Sequence, residues 1–159
     1  MADGWAILSE LAATLREPLD RQAQLDALAV ALQRAFGWKQ FSINRYDASA
    51  DETSRVYSTA PETWPIAGRK QRKTSGWSER VIDRGEINLS STAAEVEAVF
   101  GDHKKIEAHG CASIFNIPVR YDGRTLGALN LMHAAHHYDG YDRGLALAFA
   151  ALAVPLFGD

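Results

Sequence analysis

The stretch that decides the fold is residues 110–133, GCASIFNIPVRYDGRTLGALNLMH. Apolar and β-branched residues fill both halves of this stretch, and the dipeptide Asp122-Gly123 divides them. An Asp-Gly pair between two such runs is a strong signal for a tight β-hairpin, because the central residues of the favoured turn need positive φ. We therefore predict buried strands over 112–121 and 124–133.

A tight turn at Asp122-Gly123 also predicts which residues share a face of the hairpin. Strict alternation pairs Val119 with Leu126 and places Asn116 and Asn130 on opposite faces, and a bulge would change the faces of one strand. A buried amide without partners costs about 1–3 kcal/mol, so both asparagines must be satisfied. They either bond to backbone and neighbouring strands, or at least one faces a cavity and orients a ligand.

Helical periods flank this hairpin at both ends of the chain. Apolar residues recur every three or four positions over 5–15, again over 19–36 before Gly37, and once more over the closing segment 139–157. Alternation over 41–46 and 55–59 predicts two further strands. The expected fold is α+β, with a central antiparallel sheet, N-terminal helices (1–36) and a C-terminal helix (139–157) on one face, and short helices and loops forming a pocket on the other.

Composition limits the function without defining it. The 159 residues are 47% hydrophobic with a formal charge of -3, which fits one domain over 1–159 and disfavours a general polyanion binder. The single cysteine, Cys111, excludes an internal disulfide framework and a four-cysteine zinc site. No apolar run approaches the roughly 18 residues of a membrane span, and the start lacks signal-peptide features. We expect a cytoplasmic protein that binds neither nucleic acid nor membrane.

Residues 110–119, the Asp122-Gly123 pair and the sequence LGALNL at 126–131 resemble a GAF domain. The resemblance implies one pocket that different members use for unrelated small molecules. It implies a regulatory sensor of a small polar or anionic metabolite, working as a homodimer through the terminal helices. His103 and His133 resemble histidines of phytochromes, but no bilin-attaching cysteine pattern is present, so no bilin is expected. The cofactor, if one exists, stays unknown.

An enzymatic function is the alternative. One branch of the family, the free methionine-(R)-sulfoxide reductases, uses several cysteines around this hairpin, whereas Cys111 stands alone and would need an external thiol. Cys111 with His103 and His133 is the only set that could hold a metal from separate elements. A third hypothesis is a scaffold whose pocket is filled by its own side chains.

The candidate ligand contacts come from the pocket segment and the hairpin. The basic run at 69–73 would attract an anion, aromatic side chains would form walls, and histidine and amide groups would supply polar contacts. The predicted set is Tyr57, Arg69, Lys70, Trp77, His103, Cys111, Asn116, Asn130 and His133.

Overall fold

The computed structural model describes residues 3–158 and is built around an antiparallel sheet. The sheet has six strands in the order β3-β2-β1-β6-β5-β4, so the predicted hairpin forms its centre together with β1. The α+β class expected from the sequence is confirmed. The strands are β1 Gln40–Asp47, β2 Glu52–Ser58, β3 Lys70–Gln71, β4 Asn88–Ser90, β5 Ser113–Tyr121 and β6 Arg124–His133.

Helices from both ends of the chain cover one face of this sheet. Phe41, Phe115 and Phe149 are fully buried in the core between the helices and the sheet. The longest helix runs over most of the predicted 19–36 segment, begins after Asp20, whose side chain accepts from the Ala23 N–H, and ends before Gly37 at φ 78°. The helices are α1 Gly4–Thr14, α2 Arg21–Ala35, α3 Gly76–Ser78, α4 Ala93–Val99, α5 His103–Ala108 and α6 Arg143–Ala153.

Residues 59–109, apart from the edge strands β3 and β4, cover the opposite face of the sheet. This segment carries α3, α4 and α5, with a π-helical turn over Glu79–Asp83 directly after α3. It packs through a smaller apolar cluster that includes Trp64, Ile106 and Met132. Because this cluster fills only part of the space against the sheet, a cavity remains between the two layers.

A bulge in the hairpin changes the side-chain faces that strict alternation predicts. Tyr121 pairs with Arg124 as predicted, but the register shifts so that Val119 pairs with Gly127 and Leu126 becomes the extra residue. The predicted faces of β6 are therefore wrong, since a bulge displaces every residue beyond it by one position. Asn130 consequently lies directly opposite Asn116, on the face that carries the cavity.

A second bulge lies between β1 and β2. Ile43 pairs with Tyr57 and Asn44 with Arg55, which leaves Val56 as the extra residue. Val56 and Tyr57 both pack against the helix-covered core, while Arg55 and Asn44 line the cavity. The bulge thus directs Arg55 to one side of the sheet and Tyr57 to the other, although the two are only two residues apart.

Position 127, beside the hairpin bulge, requires a glycine because two strands approach each other closely there. A Cβ here would overlap the backbone oxygen of Asn44 and lie 2.5 Å from the Phe157 ring. We expect Gly127→Ala to lower the free energy of unfolding by about 2–3 kcal/mol, because overpacking must push β1 and β6 apart. Urea denaturation measures the loss, with Gly68→Ala as control, since a Cβ at Gly68 meets nothing within 4 Å. Equal stabilities of the two variants would contradict this packing.

Candidate functional site

The cavity between the sheet and residues 59–109 has a volume of about 350 Å³. This lies near the lower end of the roughly 300–1,000 Å³ typical of ligand pockets and suits one small metabolite. Side chains from β1, β2, β5 and β6 form its floor. Trp64, Trp77, Ile82, Phe100 and Asp102 contribute to its walls. The scaffold hypothesis predicts a pocket that is filled by its own side chains. The structure instead contains an unfilled cavity.

A ladder of amides crosses the cavity floor. Asn116 Oδ1 accepts from Asn88 Nδ2 at 3.1 Å and from Trp77 Nε1 at 3.0 Å. Asn116 Nδ2 donates to Asn130 Oδ1 at 2.7 Å, and Asn130 Nδ2 lies 3.5 Å from Ser42 Oγ. The two hairpin asparagines therefore satisfy one another and their neighbours. Their immediate effect is to hold the Trp77 ring in place as a wall of the cavity.

Two residues of the lining each carry a buried polar atom without a partner. Asn44 Oδ1 and Arg55 Nε are buried, and neither has a hydrogen-bond partner. They belong to residues that pair directly across β1 and β2. Buried polar groups are nearly always paired in native proteins, so these two atoms are exceptions among the residues of the lining.

The charge of Arg55 is also without a counter-ion in the structure. Its Nη1 donates to Pro65 O at 3.1 Å, and no carboxylate among residues 3–158 forms an ion pair with it. Burial lowers the pKa of the guanidinium, an effect that the charge of Asp102 opposes. Because arginine keeps its proton in proteins, a half-buried cation remains facing the cavity.

Further charges line the cavity. Lys70 and Lys73 are exposed at its rim, and neither forms an ion pair in the part of the chain that the structure describes. Arg72 is already paired, with Asp51 at 2.8 Å and Asp83 at 3.2 Å. Asp102 is the acidic residue of the lining, so unpaired positive charge exceeds negative charge there.

Four of the residues predicted as ligand contacts line the cavity: Lys70, Trp77, Asn116 and Asn130. Arg69, beside Lys70, turns away to Asp47 at 2.7 Å. Tyr57 lies on the helix-covered face, where its hydroxyl donates to Asp26 at 2.9 Å. Burial, together with that carboxylate, raises the pKa of Tyr57 to about 12.

The remaining three predicted residues lie outside the lining. His103 Nδ1 is 3.3 Å from Phe100 O. His133 stacks on His137 with ring centroids 3.5 Å apart, and burial together with the nearby charge of His137 lowers the pKa of His133. Cys111 is 3% exposed and packs in the smaller apolar cluster. Across residues 3–158, no three histidine, cysteine or acidic residues group in a way that could hold a metal ion.

The environment of Cys111 predicts an unreactive thiol. Burial raises the pKa of this thiol, and only the thiolate is a nucleophile. We expect native protein at neutral pH to react with iodoacetamide at least about tenfold more slowly than the same protein in denaturant, because burial both blocks access and suppresses ionisation. Mass spectrometry of timed samples measures the two rates. Equal rates would restore the hypothesis that Cys111 is a catalytic nucleophile.

Sequence reasoning missed Arg55 and Asn44 as site residues. Both lie in strands whose alternation is interrupted by the bulge at Val56, and no glycine or proline marks that bulge. Asp102 was also not among the predicted site residues. In the structure it lies against the cavity, with Oδ2 accepting from Trp64 Nε1 at 3.0 Å.

Helices on one face of an antiparallel sheet, and a cavity between its other face and the covering segment, define the class of α+β domain that encloses a pocket beside its sheet. The chain belongs to the GAF domain family, since the family model described as GAF domain matches residues 18–156. No curated protein matches its sequence significantly. No helix among residues 3–158 is both long enough and apolar enough to cross a membrane.

Solved structures show the same fold. The GAF domain of a phosphoenolpyruvate-protein phosphotransferase from Coxiella burnetii superposes with a TM-score of 0.74 at 17% identity, covering 97% of this chain and 90% of that one. The corresponding Acinetobacter domain gives 0.73 at 14% identity, covering 99% and 94%. Free methionine-R-sulfoxide reductase from Neisseria meningitidis, in complex with its substrate, gives 0.72 at 21% identity, covering 99% and 92%. At these identities the likeness establishes the fold alone.

Proposed function

We propose that this GAF domain is a sensor that binds a small metabolite through an anionic group held by Arg55. The observation that carries the proposal is the guanidinium of Arg55, which belongs to the lining, has no counter-ion among residues 3–158 and has an unpartnered Nε. A half-buried cation that lines a cavity without a counter-ion is complementary to an anion.

The chemistry of the guanidinium favours a carboxylate or a phosphate. Arginine offers donors in a planar fork that matches either group, and such charge-assisted bonds are stronger than neutral ones. Lys70 and Lys73 at the rim add to the positive potential, which would attract an anion from solution. The net negative charge of the whole chain does not oppose this attraction, because the positive potential at the rim is local.

The remaining lining favours an apolar body on the ligand. Trp77 and Phe100 meet edge to face with centroids 6.4 Å apart, and Ile82, Ile114 and Met132 also contribute apolar surface. A pocket that is mostly apolar with a few placed polar groups is the usual composition of a small-molecule site. The ligand we propose therefore has a charged end and an apolar end.

Calorimetric titration with acetate, succinate, benzoate and inorganic phosphate tests this function. The proposal expects saturable binding of at least one of these anions, with benzoate favoured over acetate because its ring can reach the apolar walls. Absence of binding by all four at concentrations up to the solubility of the protein and salts would overturn the assignment of an anion site.

Other parts of the proposal rest on the resemblance and the sequence. Self-association through the terminal helices is supported by exposed apolar side chains on α1 and α2, with Trp5 48% and Val30 59% exposed. Sedimentation velocity over a range of concentrations tests it, and a monomer throughout would contradict it. A cytoplasmic location and the lack of nucleic-acid or membrane partners stay predictions from composition.

A further inference from the structure

The loop after β6, residues 134–141 (the histidine loop), is fastened to the end of α2. His137 Nε2 lies 2.8 Å from Phe36 O, and the Tyr138 hydroxyl donates to Gly37 O at 2.7 Å. A carbonyl oxygen can only accept, so His137 Nε2 carries a proton in this contact. The two bonds supply partners at a helix C-terminus, where backbone carbonyls lack intrahelical ones.

The same loop is fastened on its other side to Ser91, which lies between β4 and α4. The His136 N–H donates to Ser91 O at 2.8 Å, and Ser91 Oγ donates to Asp139 Oδ1 at 2.8 Å. The bonds from Ser91 and His136 lower the pKa of Asp139, so this carboxylate keeps its charge in the range where histidine titrates. Because α4 contributes Val99 to the cavity lining, the histidine loop connects the two layers that cover opposite faces of the sheet.

His133, the last residue of β6, takes part in a backbone bond that only an uncharged ring can accept. Its Nδ1 accepts from the Ala134 N–H at 2.8 Å. An imidazolium carries a proton on each ring nitrogen and accepts nothing. Protonation of His133 therefore removes this bond at the point where the strand passes into the histidine loop.

Positive groups surround the His133 ring. It stacks on the ring of His137 with centroids 3.5 Å apart and planes 7° from parallel, so two imidazolium ions would lie in contact. Burial, the charge of His137 and the ammonium of Lys39 lower the pKa of His133. No carboxylate among residues 3–158 forms an ion pair with Lys39, whose ammonium donates to Gly110 O at 3.1 Å.

The other ionisable groups near His133 are uncharged at neutral and mildly acidic pH. Tyr138 meets the His133 ring edge to face with centroids 6.2 Å apart, and burial raises the pKa of its hydroxyl. Burial also raises the pKa of the Cys111 thiol, which lies just before the neighbouring strand β5. No negative charge from these elements offsets a proton on His133.

We infer that the histidine loop is a pH-sensitive clasp, which holds the end of α2 and the start of α4 together while His133 is neutral and opens when His133 gains a proton. None of the residues that form the clasp lines the cavity, so the inference stands apart from the proposed function. Opening would release the layer that covers the cavity from the helices on the other face.

The direction of the effect follows from proton linkage. In the closed loop the pKa of His133 lies below the ordinary value of about 6.5, so the closed loop binds this proton more weakly than an open loop does. The stabilisation of the closed loop is therefore fully present above about pH 6.5. It is lost as the pH falls from that value through the lowered pKa of His133.

Hydrogen exchange of the His136 amide, followed by NMR at about pH 7.5 and about pH 5.5 with EDTA present, tests the inference. This amide donates to Ser91 O, so it is protected while the loop is closed. After correction for the intrinsic exchange rate, we expect its protection factor to fall by about threefold or more at the lower pH. The Arg72 amide, which donates to Asp51 O at 2.9 Å outside the loop, is the internal reference.

His133→Asn removes the proton site and keeps an acceptor. Asparagine offers Oδ1 near the position of Nδ1, so the bond from the Ala134 N–H can persist, and the amide takes up no proton in this pH range. We expect the protection factor of the His136 amide to stay within about 1.5-fold between the two pH values in this variant. His103→Asn, which removes a histidine of α5 outside the loop, is the matched control and shows the fall of the native protein.

Lys39→Gln is a second variant that leaves His133 in place. It removes one of the charges that oppose protonation in the closed loop, so the closed and open loops differ less in their affinity for the proton. We expect the acid-induced fall in protection to lie between those of the native protein and His133→Asn.

Equal protection factors at the two pH values in the native protein would overturn the inference. A fall of the same size in His133→Asn would also overturn it, because acid would then act through another group. Where His133→Asn does not fold, a fall in Lys39→Gln equal to that of the native protein overturns it as well.

Discussion

Replacing Arg55 with methionine is expected to raise the stability of the empty protein while removing anion binding. The buried Nε of Arg55 has no partner, and such a group costs about 1–3 kcal/mol. Methionine has a flexible apolar chain that can fill the space of the arginine stem. After allowing for the lost bond to Pro65 O, we expect the free energy of unfolding to rise by about 1 kcal/mol.

The same substitution should abolish the recognition of anions. Truncating one partner of a buried charge pair costs about 2–5 kcal/mol, which corresponds to a loss of roughly thirtyfold or more in affinity. Urea denaturation and calorimetric titration with the tightest of the tested anions measure the two effects. A gain in stability together with a loss of affinity is expected when the replaced residue serves binding and not folding.

Arg69→Met is the matched control for Arg55→Met. Arg69 has the same side chain, but it is exposed and pairs with Asp47 outside the cavity. We expect its loss to leave affinity within about twofold and stability within about 0.5 kcal/mol. Equal effects of the two substitutions on binding would refute the role of Arg55 and leave only a general electrostatic attraction.

The largest loss of stability is expected at the centre of the amide ladder. Asn116→Leu keeps the approximate volume but removes the partner of two buried groups, Asn88 Nδ2 and Asn130 Oδ1, and of the part-buried Trp77 Nε1. With about 1–3 kcal/mol for each stranded group, we expect the free energy of unfolding to fall by at least about 3 kcal/mol. Denaturant unfolding measures it.

Asn44→Leu provides the comparison on the same face of the sheet. Its Oδ1 has no partner to lose, so we expect a loss below about 1 kcal/mol. A double-mutant cycle with Asn130→Leu then measures the ladder directly, with an expected coupling of about 1–3 kcal/mol between residues 116 and 130. Additive effects at these two positions would show that the ladder does not act as a unit.

The local chemistry of the chain is enough to predict the elements that build the fold. The Asp122-Gly123 turn, the long second helix and the closing helix all follow from patterns within short windows of sequence. The placement of helices on one face of the sheet follows from the order of these elements. These features depend on residues that are close together in the chain. A single sequence is therefore enough to predict them.

Side-chain direction in the site could not be predicted to the same degree, because it depends on two bulges. Each bulge shifts the alternation by one residue, which brings Asn130 beside Asn116 and separates Arg55 from Tyr57. Gly127, within an apolar strand, was a usable signal for the first bulge, since an isolated strand glycine indicates a bulge or a close approach. Val56 offers no such signal, so Arg55 could be found only once the pairing of β1 with β2 was known.

Anion binding by Arg55 is tested most directly by the Nε–H signal of this residue in a proton–nitrogen correlation spectrum of isotope-labelled protein. The signal is assigned by its absence from the spectrum of Arg55→Met, and a ligand from the calorimetric titrations is then added stepwise. We expect this signal to shift saturably, with the same dissociation constant that calorimetry gives, as Nε acquires its hydrogen bond. A ligand that binds while this signal stays in place would show that Arg55 does not hold the anion.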